Sequence, residues 1–82
     1  MIDSELAQKL VDLKFYGEQY DLAIALMRAA KTQQEATAHW KRSYECEEKY
    51  LSAWDWLTSH GYSPVWNKAE QCYEARRRSV QE

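Results

Sequence analysis

Two histidines and two cysteines are the side chains best suited to bind a metal or to supply a nucleophile. On a continuous helix His39, Cys46 and His60 would share one face, but a spacing of seven residues is about 10.5 Å of axial rise. A zinc ligand sits about 2.0–2.3 Å from its metal, so one ion cannot span that row. Only a site assembled with Cys72 from a second helix would remain. The expectation is that no metal is held and that Cys46 and Cys72 are reduced, half-buried small side chains, as suits a chain with no sign of entering an oxidising compartment.

Carboxylates offer little more. Helical carboxylate metal centres place a histidine three residues after a glutamate, whereas Glu35 and His39 are four apart. That spacing suits an exposed side-chain pair, as do Glu5 with Lys9, Glu45 with Lys49 and Glu74 with Arg78. Glu45, Glu47 and Glu48 lack the apolar surroundings that would raise a carboxyl pKa for acid catalysis and read as a solvated face. No serine lies in a strand-turn-helix setting, and two isolated glycines cannot form a phosphate-cradling loop. These absences predict no catalytic residues, no cofactor and no enzyme activity.

Nucleic-acid recognition rests on Lys68 with Arg76, Arg77 and Arg78, a basic patch near the carboxyl end. Residues 57–78 have the outline of a helix, a glycine turn and a second helix. With Gly61 as the turn glycine, however, the positions that should lock the second helix are the polar Asn67 and Glu70. The pI near 5.7 also argues against general phosphate affinity.

The rings carry more information. Four Trp, six Tyr and one Phe make up 13% of the chain. Trp40 and Trp54 fall on a helical stripe and read as core. Trp56 lies roughly 160° around the same helix from Trp54, so it faces either a second neighbour or water. With Tyr62 and Trp66 close by in sequence, Trp56, Tyr62 and Trp66 are the candidate protein-contact residues, unless the last helix folds back over Trp56.

These side chains must be positioned by helices. Asp3, Ser4 and Glu5 suit a helix start at about residue 4. Leu6, Leu10, Leu13, Gly17, Tyr20, Ile24 and Met27 then alternate spacings of four and three, the seam of a helix packed on another helix. Gly17 on that seam marks either a helix end or a close approach by a neighbouring backbone, and the pattern running through it favours the approach. A second stripe, Val11, Phe15, Leu22, Leu26 and Ala29, makes the same helix apolar on two faces and predicts neighbours on both.

Thr32 and Glu35 form a capping-box signature. They divide the chain into helices of about 4–31 and 33–60. The alternative is one long bent helix over about 18–58, because the second stripe continues in phase through Ala36, Trp40, Tyr44, Leu51 and Trp54. His60 and Gly61 read as a helix end, and Ser63 with Pro64 as the start of a third helix over about 64–80. Its apolar face would be Val65 or Trp66, Ala69, Cys72 or Tyr73, and Val80.

The expected fold is therefore an all-α single domain over 1–82. It would be a small three-helix bundle, a long helical hairpin plus a shorter C-terminal helix, with a dimer built on one long bent helix as the alternative. Eighty-two residues with net charge −2 suit one domain with a marginal core. The longest apolar run, residues 22–27, is six long where a membrane span needs about twenty. The start MIDSELAQK lacks the layout of a secretory signal, so a cytoplasmic location is expected.

With more apolar face than helix to cover it, the expected partners are a second copy, as a homodimer, and another protein of unknown identity. The function read from this is occupancy: a small inhibitor or adaptor, in the style of phage and mobile-element accessory proteins, that blocks or modulates a larger complex. Two alternatives are a nucleic-acid-binding accessory protein using the arginine end, and a structural coiled-coil oligomerisation element.

Overall fold

The computed structural model describes residues 4–77. Helix α1 spans Ser4–Ala29 and helix α2 spans Gln33–Ser59. They are followed by strands β1, Tyr62–Asn67, and β2, Cys72–Arg77. The helices pack as an antiparallel hairpin, and the strands form a two-stranded antiparallel sheet. Strand β1 packs on α2 and strand β2 on α1.

The break between the helices is chemical and needs neither Gly nor Pro. Thr32 is the N-cap of α2, extended at φ −128° and ψ 157°, and its hydroxyl accepts the Glu35 N–H at 3.1 Å. The Glu35 carboxylate reaches back to the Lys31 N–H at 3.0 Å, one residue further than in a reciprocal capping box. With two amides satisfied in this way, the chain turns instead of continuing as one bent helix. At the other end of α2, Gly61 takes a φ of 87° and its N–H is donated to Thr58 O at 3.1 Å, an αL termination that favours glycine.

The third helix expected over 64–80 is not formed, and the chain is not all-α. Pro64 after Ser63 suits a first helical position, but it equally suits an edge strand, and a two-stranded sheet consists only of edges. The register pairs Tyr62 with Arg77, Pro64 with Ala75, Trp66 with Tyr73 and Asn67 with Cys72. Residues 68–71 make the turn: the Asn67 side-chain carbonyl accepts the Glu70 N–H at 3.0 Å, and Gln71 adopts a φ of 55°. The helical reading wavered between Val65 and Trp66 and between Cys72 and Tyr73. Period-two alternation removes that ambiguity by placing Tyr62, Pro64, Trp66, Tyr73 and Ala75 on one face. Val80, expected on the third helix, lies outside the described residues.

The core lies at the end of the helical hairpin that the sheet covers. Leu13 and Leu57 are fully buried, with Ala53 beside them, and Leu6, Leu10, Tyr50, Trp54, Tyr62, Tyr73 and Ala75 pack around this centre. Toward the α1–α2 turn the seam is built from small residues, Ala23, Ser43 and Cys46, all buried. Tyr20, Ile24 and Met27 are half-buried there, while Leu22, Leu26, Trp40 and Tyr44 are exposed.

Gly17 is neither a cap nor a point of backbone contact. It lies inside α1, and a Cβ built on it would meet the Tyr50 ring at 3.5 Å.

Candidate functional site

Of the rings expected to form one contact face, Trp56 and Tyr62 turn to the Leu13–Leu57 core and Trp66 turns to Tyr73. Trp56 also stacks on His60 with centroids 3.9 Å apart, and Lys9 Nζ lies 5.9 Å from its ring centroid. Among the described residues no last helix folds over it. Tyr62 packs against the Leu13–Leu57 core with the Arg77 guanidinium 5.8 Å from its ring. Trp66 stands across the sheet from Tyr73, edge to face at 5.0 Å, and keeps 41% of its surface exposed.

Trp66 joins a different set. Trp54 stacks on Tyr50 at 6.1 Å, Tyr50 meets Tyr73 at 6.3 Å, and Tyr73 meets Trp66. These four rings run from α2 into the sheet. The Tyr50 and Tyr73 hydroxyls share a hydrogen bond of 2.9 Å. Burial pushes the Tyr50 hydroxyl well above the ordinary tyrosine pKa, and the hydrogen bond to Tyr73 pushes it the same way. Its proton is held for structure.

Beside this array lies an open groove of about 540 Å³ between both helices and the sheet. Gly17, Tyr20, Tyr50, Leu51, Trp66 and Tyr73 form its apolar lining, with Glu18, Asp21 and Glu47 also at its walls. Leu51 belongs to a row with Trp40 and Tyr44, all within about 40° of arc on α2. The three are 51%, 51% and 58% exposed, and Trp40 and Tyr44 stack on each other at 5.6 Å. Trp40 is thus not the core residue its stripe suggested; Ser43 and Cys46 hold the buried positions of that half of α2 instead. Trp40 and Tyr44 form one exposed pair and Leu51 and Trp66 another at the groove, with Glu47 between them on α2; as contact residues, sequence reasoning named only Trp66. The signal for the others was present, since all three α2 residues lie on the long second stripe.

The basic residues are spread out. Lys68 sits in the turn, while Arg76 and Arg77 lie at the far end of β2. Four strand residues, 72–75, lie between the turn and Arg76, a separation of five residue steps or roughly 17 Å. Arg76 Nη2 lies 3.9 Å from the Glu74 carboxylate. Arg78 lies outside the described residues. The helix-turn-helix outline of residues 57–78 is lost with the third helix.

Among the described residues no group of three or more His, Cys, Asp or Glu side chains is gathered closely enough to hold a metal ion. Cys46 and Cys72 are free thiols, one buried and one half-buried. No helix among the described residues is long and apolar enough to cross a membrane. Comparison with protein-family models finds no match, and neither curated proteins nor solved structures provide a similar chain.

Proposed function

We propose that this chain is a non-catalytic protein-interaction module, a small inhibitor or adaptor that acts by covering a site on a larger protein. The observation that carries this reading is a mismatch between inside and outside. Among the described residues, five hydrophobic side chains are buried, three of them Ala or Cys, while eight large ones are exposed. Scattered exposed leucines are normal, but contiguous rows rimmed by polar groups mark contact surfaces.

The face of Trp40, Tyr44, Leu51 and Trp66 is the contact surface in this reading. Tryptophan and tyrosine anchor protein interfaces because each buries a large rigid ring at little conformational cost. The adjoining groove lets a partner side chain enter between α1, α2 and the sheet. Three carboxylates, Glu18, Asp21 and Glu47, against one lysine, Lys14, would favour a partner whose rim is basic.

The test is capture from lysate with tagged wild-type protein beside Tyr44→Ala and Trp66→Ala variants. Both positions are exposed, so helical circular dichroism should be unchanged. The reading expects a specific protein to be retained by wild type and reduced at least tenfold by each variant. Retention of the same protein by both folded variants would remove this face from the function.

A further inference from the structure

The second apolar stripe of α1 faces away from both α2 and the groove. At 100° per residue Val11, Phe15, Leu22 and Leu26 lie about 160–220° around the helix from Leu13, the buried centre of the seam. They are 59%, 49%, 51% and 42% exposed, and the neighbouring Ala25 and Ala29 are exposed as well. About half of each of these side chains is left to solvent.

The four large side chains of the stripe, leaving out Ala29, read the same in both directions, with spacings of four, seven and four about the midpoint between Glu18 and Gln19. A two-fold axis at that midpoint, perpendicular to the helix, sets Val11 against Leu26 of a second copy and Phe15 against Leu22. A self-complementary patch of this kind is what an isologous interface requires.

The sheet decides the direction. Strand β2 stands beside the amino-terminal half of the stripe, where Leu10, Val11, Lys14, Phe15, Cys72 and Tyr73 line a groove of about 300 Å³. In antiparallel pairing the partner helix brings Ala25 and Ala29 to this level, on the flank that faces β2. Small side chains there allow the helix to lie in the groove. Parallel pairing would instead bring two sheets side by side against the same stretch.

We propose that the outer face of α1 is a self-pairing surface, on which two copies of this chain associate antiparallel about a two-fold axis between Glu18 and Gln19, with Ala25 and Ala29 of each seated against β2 of the other. The seat beside β2 adjoins the groove at Trp66, since Lys14, Glu18 and Tyr73 line both.

The experiment is light scattering across a concentration series, needing no partner protein. Wild type should show twice the 9.8 kDa chain mass. Phe15→Lys and Leu22→Glu singly should each return the mass to 9.8 kDa with helical circular dichroism retained. The double variant Phe15→Lys, Leu22→Glu should recover the doubled mass, because antiparallel register places each lysine opposite a glutamate. In parallel register it would set lysine against lysine and glutamate against glutamate. A wild type that stays at 9.8 kDa to millimolar concentration overturns the proposal. So do single variants that remain doubled, or a folded double variant that stays monomeric.

Discussion

Tyr50 touches α1, its own helix and the sheet. Its edge lies against Gly17, its face meets Trp54 and Tyr73, and its hydroxyl bonds to that of Tyr73. Replacing it with Phe keeps the ring packing and deletes one hydrogen bond, which should cost about 0.5–1.5 kcal/mol. The pH dependence follows from the raised pKa. Above pH 10.0, the ordinary tyrosine value, the unfolded chain ionises at Tyr50 while the folded chain keeps its proton. The stability this group adds is therefore present below pH 10.0 and is lost as pH rises above it. Urea midpoints measured at pH 9 and pH 11 should fall further for wild type than for Tyr50→Phe. Equal falls would show that this hydroxyl does not control the alkaline loss.

At the scale of elements, the helices were legible because their ends carry local chemistry. Thr32 and Glu35 cap α2 through side-chain bonds that depend on residues three apart, and Gly61 ends it through backbone conformation. The third segment was not legible as a helix because none formed. Ser63 and Pro64 satisfy helix-start and edge-strand rules alike, and only the alternation of Tyr62, Pro64 and Trp66 distinguishes them. Which stripe of α1 would be covered was also beyond sequence reading. Both stripes are apolar, and the choice depends on the small residues Ala23, Ser43 and Cys46 meeting across the seam.

Gly17 shows how a seam position can be misread. Its space is occupied by a ring at ordinary contact distance, so Gly17→Ala fits without displacement. Alanine in the middle of α1 should stabilise the chain by about 0.5–1 kcal/mol, mainly by restricting the unfolded backbone. A higher thermal midpoint for Gly17→Ala checks this; a lower one would mean that Tyr50 cannot accept even a methyl neighbour.

The whole molecule is elongated, 53 × 25 × 24 Å, with a radius of gyration of 15.5 Å. A compact chain of this length would have a radius of about 12 Å. Its fully buried large side chains are Leu13 and Leu57, at the end covered by the sheet. Leu57→Ala should cost about 2–5 kcal/mol, comparable to all the stability that so small a core supplies. Thermal melts followed by circular dichroism should find this variant largely unfolded at 37 °C. A cooperative melt near the wild-type temperature would mean that stability comes from elsewhere, self-pairing through α1 included.

The contact of β2 with α1 also has a consequence in time. The α1–α2 turn and the strand turn each join neighbours in the chain, so both hairpins assemble by closing short loops. Bringing Cys72 and Tyr73 to Leu10 and Phe15 closes a loop of about sixty residues around them. That closure is entropically the most demanding step and gains from both hairpins being formed beforehand. Folding should thus proceed from nested local pieces outward, with the amino-terminal half of α1 receiving its sheet last.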